Sequence, residues 1–429
     1  MTTANSEILI SDDALYDELY DVRREAEEAG NLIEGDPYPG LSALRDEAPV
    51  HKGFVRELLK LPPYQRHEAA RKLEGYACFS FDICNQVFRD NVRFSNAIYH
   101  IGENPEKTSG ILEMDNPEHH AYRKAVQSLF IKPRAQTWWR NQWIDEIVGD
   151  LIAGMRGGDR AELNMQLCAR VPVHTVTRAV GLRGDDALIF RQALVRGQGS
   201  RSGPQAQRQN LITVHRILME QITKRRAEPG EDILSWLIDN QIEVPGGETR
   251  PLTDSEIVTF ARLILLAGGG TTWRQMGIVL FALLSDREQL EAVKADPNLI
   301  PAAVEESLRW NPTNPIFSRL IAQDTELGGV SLPAGAALEI CLGAANRDPA
   351  RWDNPDVFDL HRPFQQHLGT GIGPHMCLGR SVAATEISVA LEALFKEFPN
   401  IRFDPDARTP YLTGGLEQRG VSALQVLLD

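Results

Sequence analysis

The chain has 429 residues, 42% of them hydrophobic and 24% charged, with a formal net charge of -14. This is the balance of an ordinary globular protein with enough chain for a large core. The acidic surface repels phosphate backbones, so nucleic acid is excluded as a main partner, and no apolar run approaches the roughly 20 residues that span a bilayer, so no membrane partner is expected.

The first thirty-odd residues, beginning MTTANSEILISDDALYDELY, lack the basic start and apolar core of a secretory signal. Residues 1–35 read as an N-terminal segment and 36–429 as a single domain, with no repeat or low-complexity tract. The five cysteines, at 78, 84, 168, 341 and 377, are odd in number and form no CxxC pair, which predicts a reducing, cytoplasmic setting.

Helical spacing predicts helices over Ala121–Phe130, Trp143–Met155, Leu211–Arg226, Ser255–Leu284, Arg287–Ala295, Ile300–Trp310 and Ser381–Phe398. Strand-like pieces are His51–Val55, Phe317–Ile321, Ala337–Cys341 and Leu424–Leu428, and a turn-rich stretch occupies 346–363. The fold class is therefore mainly α with a minor β part.

Two stretches stand out. Thr253 and Glu256 form a capping box for the longest helix, whose apolar run is interrupted by GGGTT at 268–272. Three glycines cost a helix about 1 kcal/mol each against alanine. Either something approaches the backbone there, or the helix bends, or it splits into two. The second stretch is HLGTGIGPHMCLGR, from His367 to Arg380. Its glycines are spaced G-x-G-x-G with Pro374 where a dinucleotide loop needs its third glycine, and no GK[ST] follows. What remains is a flexible backbone leading to one thiol and a helix start, which aims N–H donors at Cys377 and favours a thiolate. A zinc site needs three more ligands and only His375 is local, so a haem axial ligand is the better fit.

LGTGIGPHMCLG resembles the haem-binding loop of the cytochrome P450 monooxygenases, F-G-x-G-x-H-x-C-x-G. Further matches precede it in the family's order: DNPEHHAYR (115–123), AGGGTT (267–272), EESLR with Glu306 and Arg309, and the meander ending near Arg362. The resemblance spans about Asp36 to the end and is nearest the soluble bacterial members. It implies the cytochrome P450 fold, a triangular-prism helical domain with a small β-rich region, and haem b (iron protoporphyrin IX) as cofactor.

On that resemblance Cys377 is the proximal iron ligand, within a loop that includes Gly371 and Gly379. His119, Arg123, Arg319 and His375 hold the haem propionates. Glu306, Arg309 and Arg362 form a structural triad. Gly268 and Gly270 belong to the oxygen groove, and Thr271, beside Thr272, helps deliver protons there; back-bonding of Thr271 within its own helix is the alternative reading. Two positions depart from the family pattern. Thr370 replaces the phenylalanine seven residues before the cysteine, and Gly270 replaces the acid before the threonine.

By family position, pocket walls come from 94–112, 188–210, Leu266 and Ala267, the NPTNPIF stretch with Asn314, Ile316 and Phe317, and YLTGGLE with Thr413. Arg191, Arg196, Arg201 and Arg208 make the second of these segments basic. The implied function is hydroxylation of an apolar or amphipathic small molecule (terpenoid, steroid, fatty acid or aromatic) with O2. Electrons would come from a separate ferredoxin and an NAD(P)H-fed ferredoxin reductase, docking on Arg123, Lys124, Lys132, Arg134 and Arg380. The alternatives are a peroxide-driven peroxygenase or decarboxylase on the same fold, and a non-enzymatic haem-binding sensor.

Overall fold

The computed structural model describes residues 20–62, 72–101, 110–183 and 204–429, together with Ala187, Ile189, Phe190, Gln192 and Ala193. Its axis is one helix of 32 residues, Asp254–Ser285. The capping box forms as the spacing predicts: Thr253 Oγ1 accepts the Glu256 N–H, and the Glu256 carboxylate accepts the Thr253 N–H at 2.7 Å.

This central helix runs unbroken through Gly268–Gly270, so the two-helix alternative is excluded. A Cβ on Gly268 would lie 2.7 Å from Val176 Cγ1, and one on Gly269 3.6 Å from Val173 Cγ2. The approaching group is thus the neighbouring helix Arg170–Ala179. Packing along that seam offsets the propensity loss with dispersion contacts that a side chain would prevent. The main apolar cluster gathers around these two helices and takes in Ile300–Trp310 and Arg380–Glu397.

The helix expected at Ala121–Phe130 is Glu118–Gln127, and that at Leu211–Arg226 lies within Pro204–Ala227. The one expected to begin at Trp143 starts earlier: Lys132–Arg134 leads into a π-wound stretch, Ala135–Ile144, and then Asp145–Met155. Trp138 and Trp143, five residues apart, meet edge to face at 4.7 Å. Winding with i→i+5 bonds makes such residues neighbours.

The principal sheet has five strands: β1 Val50–Lys52, β2 Gly75–Cys78, β3 Phe94–Ser95, β4 Phe317–Ile321 and β5 Ala337–Ile340, in the order β1-β2-β5-β4-β3. Only the β2–β5 pair is parallel, with Gly75 opposite Ala337. The strand expected at His51–Val55 is therefore corrected. It ends at Lys52, Gly53 turns at φ +116°, and Val55 opens a short helix. Gln425–Leu427 pairs with Arg402–Phe403 and Arg160–Glu162 in a separate sheet, and Leu412–Gly414 pairs with Arg419–Val421 as a hairpin.

Residues ahead of Asp36 join the core. Tyr20 sets its ring 5.5 Å from that of Trp273, and Glu25 pairs with the buried Arg274 of the central helix. Among the described residues, no helix is long and apolar enough to cross a membrane.

Candidate active site

The glycines before Cys377 have packing and turning duties. Gly373 has φ +79°, and a Cβ there would fall 2.5 Å from the Phe88 carbonyl oxygen. A Cβ on Gly369 would fall 2.3 Å from the Leu308 carbonyl oxygen. Gly371, at φ +68°, closes a turn with its N–H on Leu368 O at 2.8 Å. The loop neck is tied by the Cys377 N–H donating to Thr370 O at 2.8 Å. Only glycine permits such left-handed turns and close approaches together.

Cys377 is exposed, whereas the other four cysteines are buried. Protein nevertheless surrounds it, and burial pushes its thiol up; N–H groups of Gly379 and Arg380 and the charges of Arg123 and Arg380 pull the other way. The donors from the helix start are those that stabilise a bound thiolate.

Next to the sulfur the chain gathers positive and imidazole groups. His119 and Arg123 share the Glu118–Gln127 helix, Arg319 comes from β4, and His375 from the loop. The His119 and His375 rings lie 3.8 Å apart. Burial, then Arg123, lowers His119 to about 4; burial, then His119, Arg319 and Arg123, lowers His375 to about 3. Arg319, 4% exposed, donates to Ser318 O at 2.8 Å and lies over the Phe88 ring. Arg123 makes no hydrogen bond or ion pair among the described residues, and burial lowers it.

Sequence reasoning missed Asn96. Its Nδ2 donates to Leu112 O at 2.7 Å and to His375 Nδ1 at 3.0 Å. Nδ1 is then the acceptor, so the ring proton sits on Nε2. That Nε2 is buried without a hydrogen-bond partner, and Met114's carbonyl lies near enough only to favour its proton. The nearby carboxylate of Asp115 is already committed to Ser95 Oγ and the Asn96 N–H. Among the described residues no carboxylate is hydrogen-bonded to Arg123, Arg319 or His375 Nε2, and Asp115 acts on His119 and Arg319 only through space, which fits the two carboxylates of a haem. Nothing in the composition of the FSNA stretch flags Asn96.

On the central helix Ala267 is exposed, and Leu263, Leu266 and Gly268–Thr271 are partly open, while Ile264, Leu265 and Thr272 are buried. The open positions 263, 266, 267 and 270 follow i, i+3, i+4, i+7, one face of a helix. Thr271 Oγ1 donates to Ala267 O at 2.9 Å, the back-bonded arrangement, and Thr313 reaches Gln275 Oε1 at 3.1 Å. A Cβ on Gly270 would meet nothing within 4 Å.

Beneath the loop, Glu306 takes Arg309 on both oxygens, at 2.7 and 2.8 Å, and Arg362 on Oε1 at 3.1 Å. Arg309 donates on to Asn346 O, Pro355 O and Val357 O. Adjacent Glu305, also missed from sequence, holds His367 and Arg380 at 2.9 Å each, anchoring both ends of the loop.

The expected pocket residues divide. Phe317 is half-buried and packs with the sheet cluster, Ile316 leans on the cluster around Tyr38, and the Asn314 amide is committed to Glu417 O at 2.6 Å. Thr413 is 2% exposed inside its hairpin, so the structure does not bring it to an open surface. Arg191, Arg196 and Arg201 lie outside the described residues, and Arg208 is exposed. Of the basic patch, Lys124 pairs with Glu243 and Arg380 with Glu305, Arg123 turns inward, and Arg134 lies over Trp138; Lys132 remains exposed.

An exposed cysteine on a glycine-shaped loop, an anion-seeking cluster beside it and an open stripe on the central helix define a haem-thiolate protein. Known proteins agree. The family model described as Cytochrome P450 matches residues 201–411. Cytochrome P450 107B1 of Saccharopolyspora erythraea is 32% identical over 391 residues, covering 86% of this chain and 93% of that one. The 6-deoxyerythronolide B hydroxylase of the same organism is 31% identical, covering 73% and 77%. A solved structure of a P450 EryK mutant in complex with erythromycin B superposes with a TM-score of 0.76 at 29% identity, covering 94% and 97%. The chain belongs to the cytochrome P450 family and has its fold. It is a monooxygenase of that family, an oxidoreductase that uses haem iron.

Proposed function

We propose that this P450 hydroxylates an apolar or amphipathic small molecule at an unactivated C–H bond, using haem b with Cys377 as the iron ligand. The balance is R–H + O2 + 2e⁻ + 2H⁺ → R–OH + H2O. The observation that carries this reading is the juxtaposition of accessible Cys377 with His119, Arg123, Arg319 and His375. Haem supplies the redox chemistry when bound, with thiolate ligation favouring O–O cleavage.

The chain's own groups do the rest. Arg123, Arg319 and His375 Nε2–H bind carboxylates and fix the cofactor's orientation. Leu263, Leu266 and Ala267 offer an apolar wall that selects apolar substrates and excludes water. Gly270 leaves room on the open face, Gly268 instead admits Val176, and Thr272 stays buried behind them. Thr271 holds its hydroxyl proton on Ala267 O, and turning toward the open face would release it for transfer.

The relatives named for 6-deoxyerythronolide B and for a complex with erythromycin B enlarge the substrate range beyond terpenoids, steroids, fatty acids and aromatics. Electrons come from a separate ferredoxin fed by its reductase. Lys132 and Arg134 are the basic residues best placed to attract that acidic partner, because the other three are paired or turned inward.

Titration of the haem protein with a panel of these classes, read as a Soret shift toward high-spin iron, tests the substrate. Turnover with ferredoxin and O2, against hydrogen peroxide alone, tests the route. The peroxide-driven alternative keeps one observation in its favour, the absence of an acid at the open Gly270 position. Faster turnover with peroxide alone would replace the O2 reading.

A further inference from the structure

Arg419 is 1% exposed, and its Nε and Nη1 are buried without hydrogen-bond partners. Among the described residues no carboxylate pairs with it. Other buried arginines are held: Arg309 by Glu306, Arg274 by Glu25, and Arg347 by Trp310 O and Asp356. Burial lowers Arg419; Tyr38 and the exposed Asp36 oppose this through space, and Arg347 adds to it. A charge taken out of water without a partner is costly, so the site calls for a counter-charge.

Three segments meet around Arg419. It opens the strand Arg419–Val421 of the hairpin, and its N–H donates to Thr313 O at 2.7 Å. Asn311, 0% exposed, follows the helix Ile300–Trp310. Its Oδ1 accepts the Tyr38 hydroxyl at 3.3 Å, and its Nδ2 is another buried donor without a partner. Tyr38 begins the helix Tyr38–Glu47, and its ring lies 3.5 Å from the Arg347 guanidinium and 6.0 Å from that of Arg419. Two cations thus share one ring, and the unmatched groups beside it are N–H donors. Water would satisfy N–H groups but leave the charge uncompensated. Side chains so closed to solvent favour a compact ion over a molecule with a large body. None of them belongs to the cluster of His119, Arg123, Arg319 and His375, so the haem carboxylates do not account for them.

We infer that Arg419 and Asn311 form a buried binding site for a small monovalent anion of the halide class. The ion accepts charge-assisted bonds from the guanidinium and a further bond from the amide. It ties the helix Tyr38–Glu47 and the hairpin to the turn that carries Asn311 and Thr313.

The test uses the haem-loaded protein, freed of halide in gluconate buffer and titrated with chloride at constant ionic strength. Thermal melts are recorded for wild type and Arg419→Met. Chloride at ten times its dissociation constant should multiply the wild-type folding constant about elevenfold, with saturation. Arg419→Met should not respond. It should be at least as stable as wild type in gluconate, because an unpaired buried charge is gone, and less stable in saturating chloride. If Arg419→Met yields no folded protein, Asn311→Asp carries the comparison: its carboxylate supplies the counter-charge and should abolish the response. Anomalous diffraction from crystals grown with bromide should place a peak in hydrogen-bonding reach of Arg419 Nη1 and Asn311 Nδ2.

A wild-type stability indifferent to chloride overturns the inference. So does an equal response in wild type and variant, because chloride would then act elsewhere. A bromide peak at this place with a flat chloride titration would mean an adventitious ion only, and overturns it as well.

Discussion

Glu306 Oε1 accepts hydrogen bonds from both Arg309 and Arg362, at 2.7 and 3.1 Å, and from the Asp359 N–H at 3.0 Å. One carboxylate thus clamps the helix Ile300–Trp310 to the meander that leads into the Cys377 loop. Arg309 is 2% exposed and Glu306 6%. Removing one partner of a buried pair leaves an uncompensated charge, at about 3–5 kcal/mol. Glu306→Gln should therefore lower the melting temperature strongly and yield mostly haem-free protein. Haem absorbance per mole of protein and a thermal melt check this.

Arg123 should hold haem through a charge-assisted bond, worth about 1.5–3 kcal/mol. Arg123→Met is expected to speed haem loss by roughly 10- to 100-fold while leaving helical content unchanged. Transfer of haem to an excess of apomyoglobin gives the rate. A loss rate equal to wild type would remove Arg123 from the haem-binding set.

Gly270 has room for a side chain. Gly270→Ala should stabilise the central helix by about 1 kcal/mol without improving coupling. Gly270→Asp restores an acid beside Thr271 and should raise the fraction of reducing equivalents that appear as product. Arg274 one turn on, which already donates to Gly270 O, would partner the new carboxylate. Product formed per NAD(P)H consumed is the readout, and equal coupling in wild type and Gly270→Asp would mean the missing acid does not matter.

Glu386, on the helix after Cys377, is 2% exposed, and burial raises its carboxyl to about 8, against a lowering contribution from Thr175. The Thr175 hydroxyl proton is committed to Val171 O at 2.7 Å, which leaves the threonine only an acceptor for a protonated Glu386. A carboxyl raised on folding stabilises fully below its unfolded value and loses that contribution as pH rises through its folded value. Stability should therefore fall from about pH 4.5 to about pH 8 through this group. Glu386→Gln should lack that fall and exceed wild type by roughly 3–5 kcal/mol above it. Urea melts at pH 5, 7 and 9 on both proteins check it.

Glu256 titrates the other way. Burial alone would raise it, but Arg250, Tyr122 and Thr253 outweigh burial and hold it at about 2. Its contribution is present above the ordinary carboxylate range and is lost as pH falls toward 2. Glu256→Gln should cost on the order of 3 kcal/mol at pH 7 and much less at pH 3, by the same melts.

What the sequence made legible was what local chemistry dictates. The capping box at Thr253 and the apolar stripes of the long helices could be read from spacing, and the ordered motifs around Cys377 from their resemblance to a known family. What it concealed depends on pairing across the chain. β2 and β5 lie more than 250 positions apart, and strands that short carry too little alternation to announce themselves. The π-wound start of the helix before Trp143 hid because Trp138 and Trp143 become neighbours at a spacing of five, outside the α-helical i, i+3 and i, i+4 pattern. Asn96 joins the site through the fold alone, and Thr413 leaves it because its hairpin buries the side chain. The glycines of the central helix were read as a groove. Gly268 mainly admits Val176, and the open face falls at Ala267 and Gly270.

The central claim is that Cys377 ligates haem iron as a thiolate. Its most direct test is the optical spectrum of the reduced carbon monoxide complex, recorded on protein expressed with haem supplementation, beside Cys377→Ser. Wild type is expected to show the strongly red-shifted Soret band of thiolate ligation, and the variant to lack it. A wild-type protein with no haem band, or with the band of imidazole ligation, would contradict the claim.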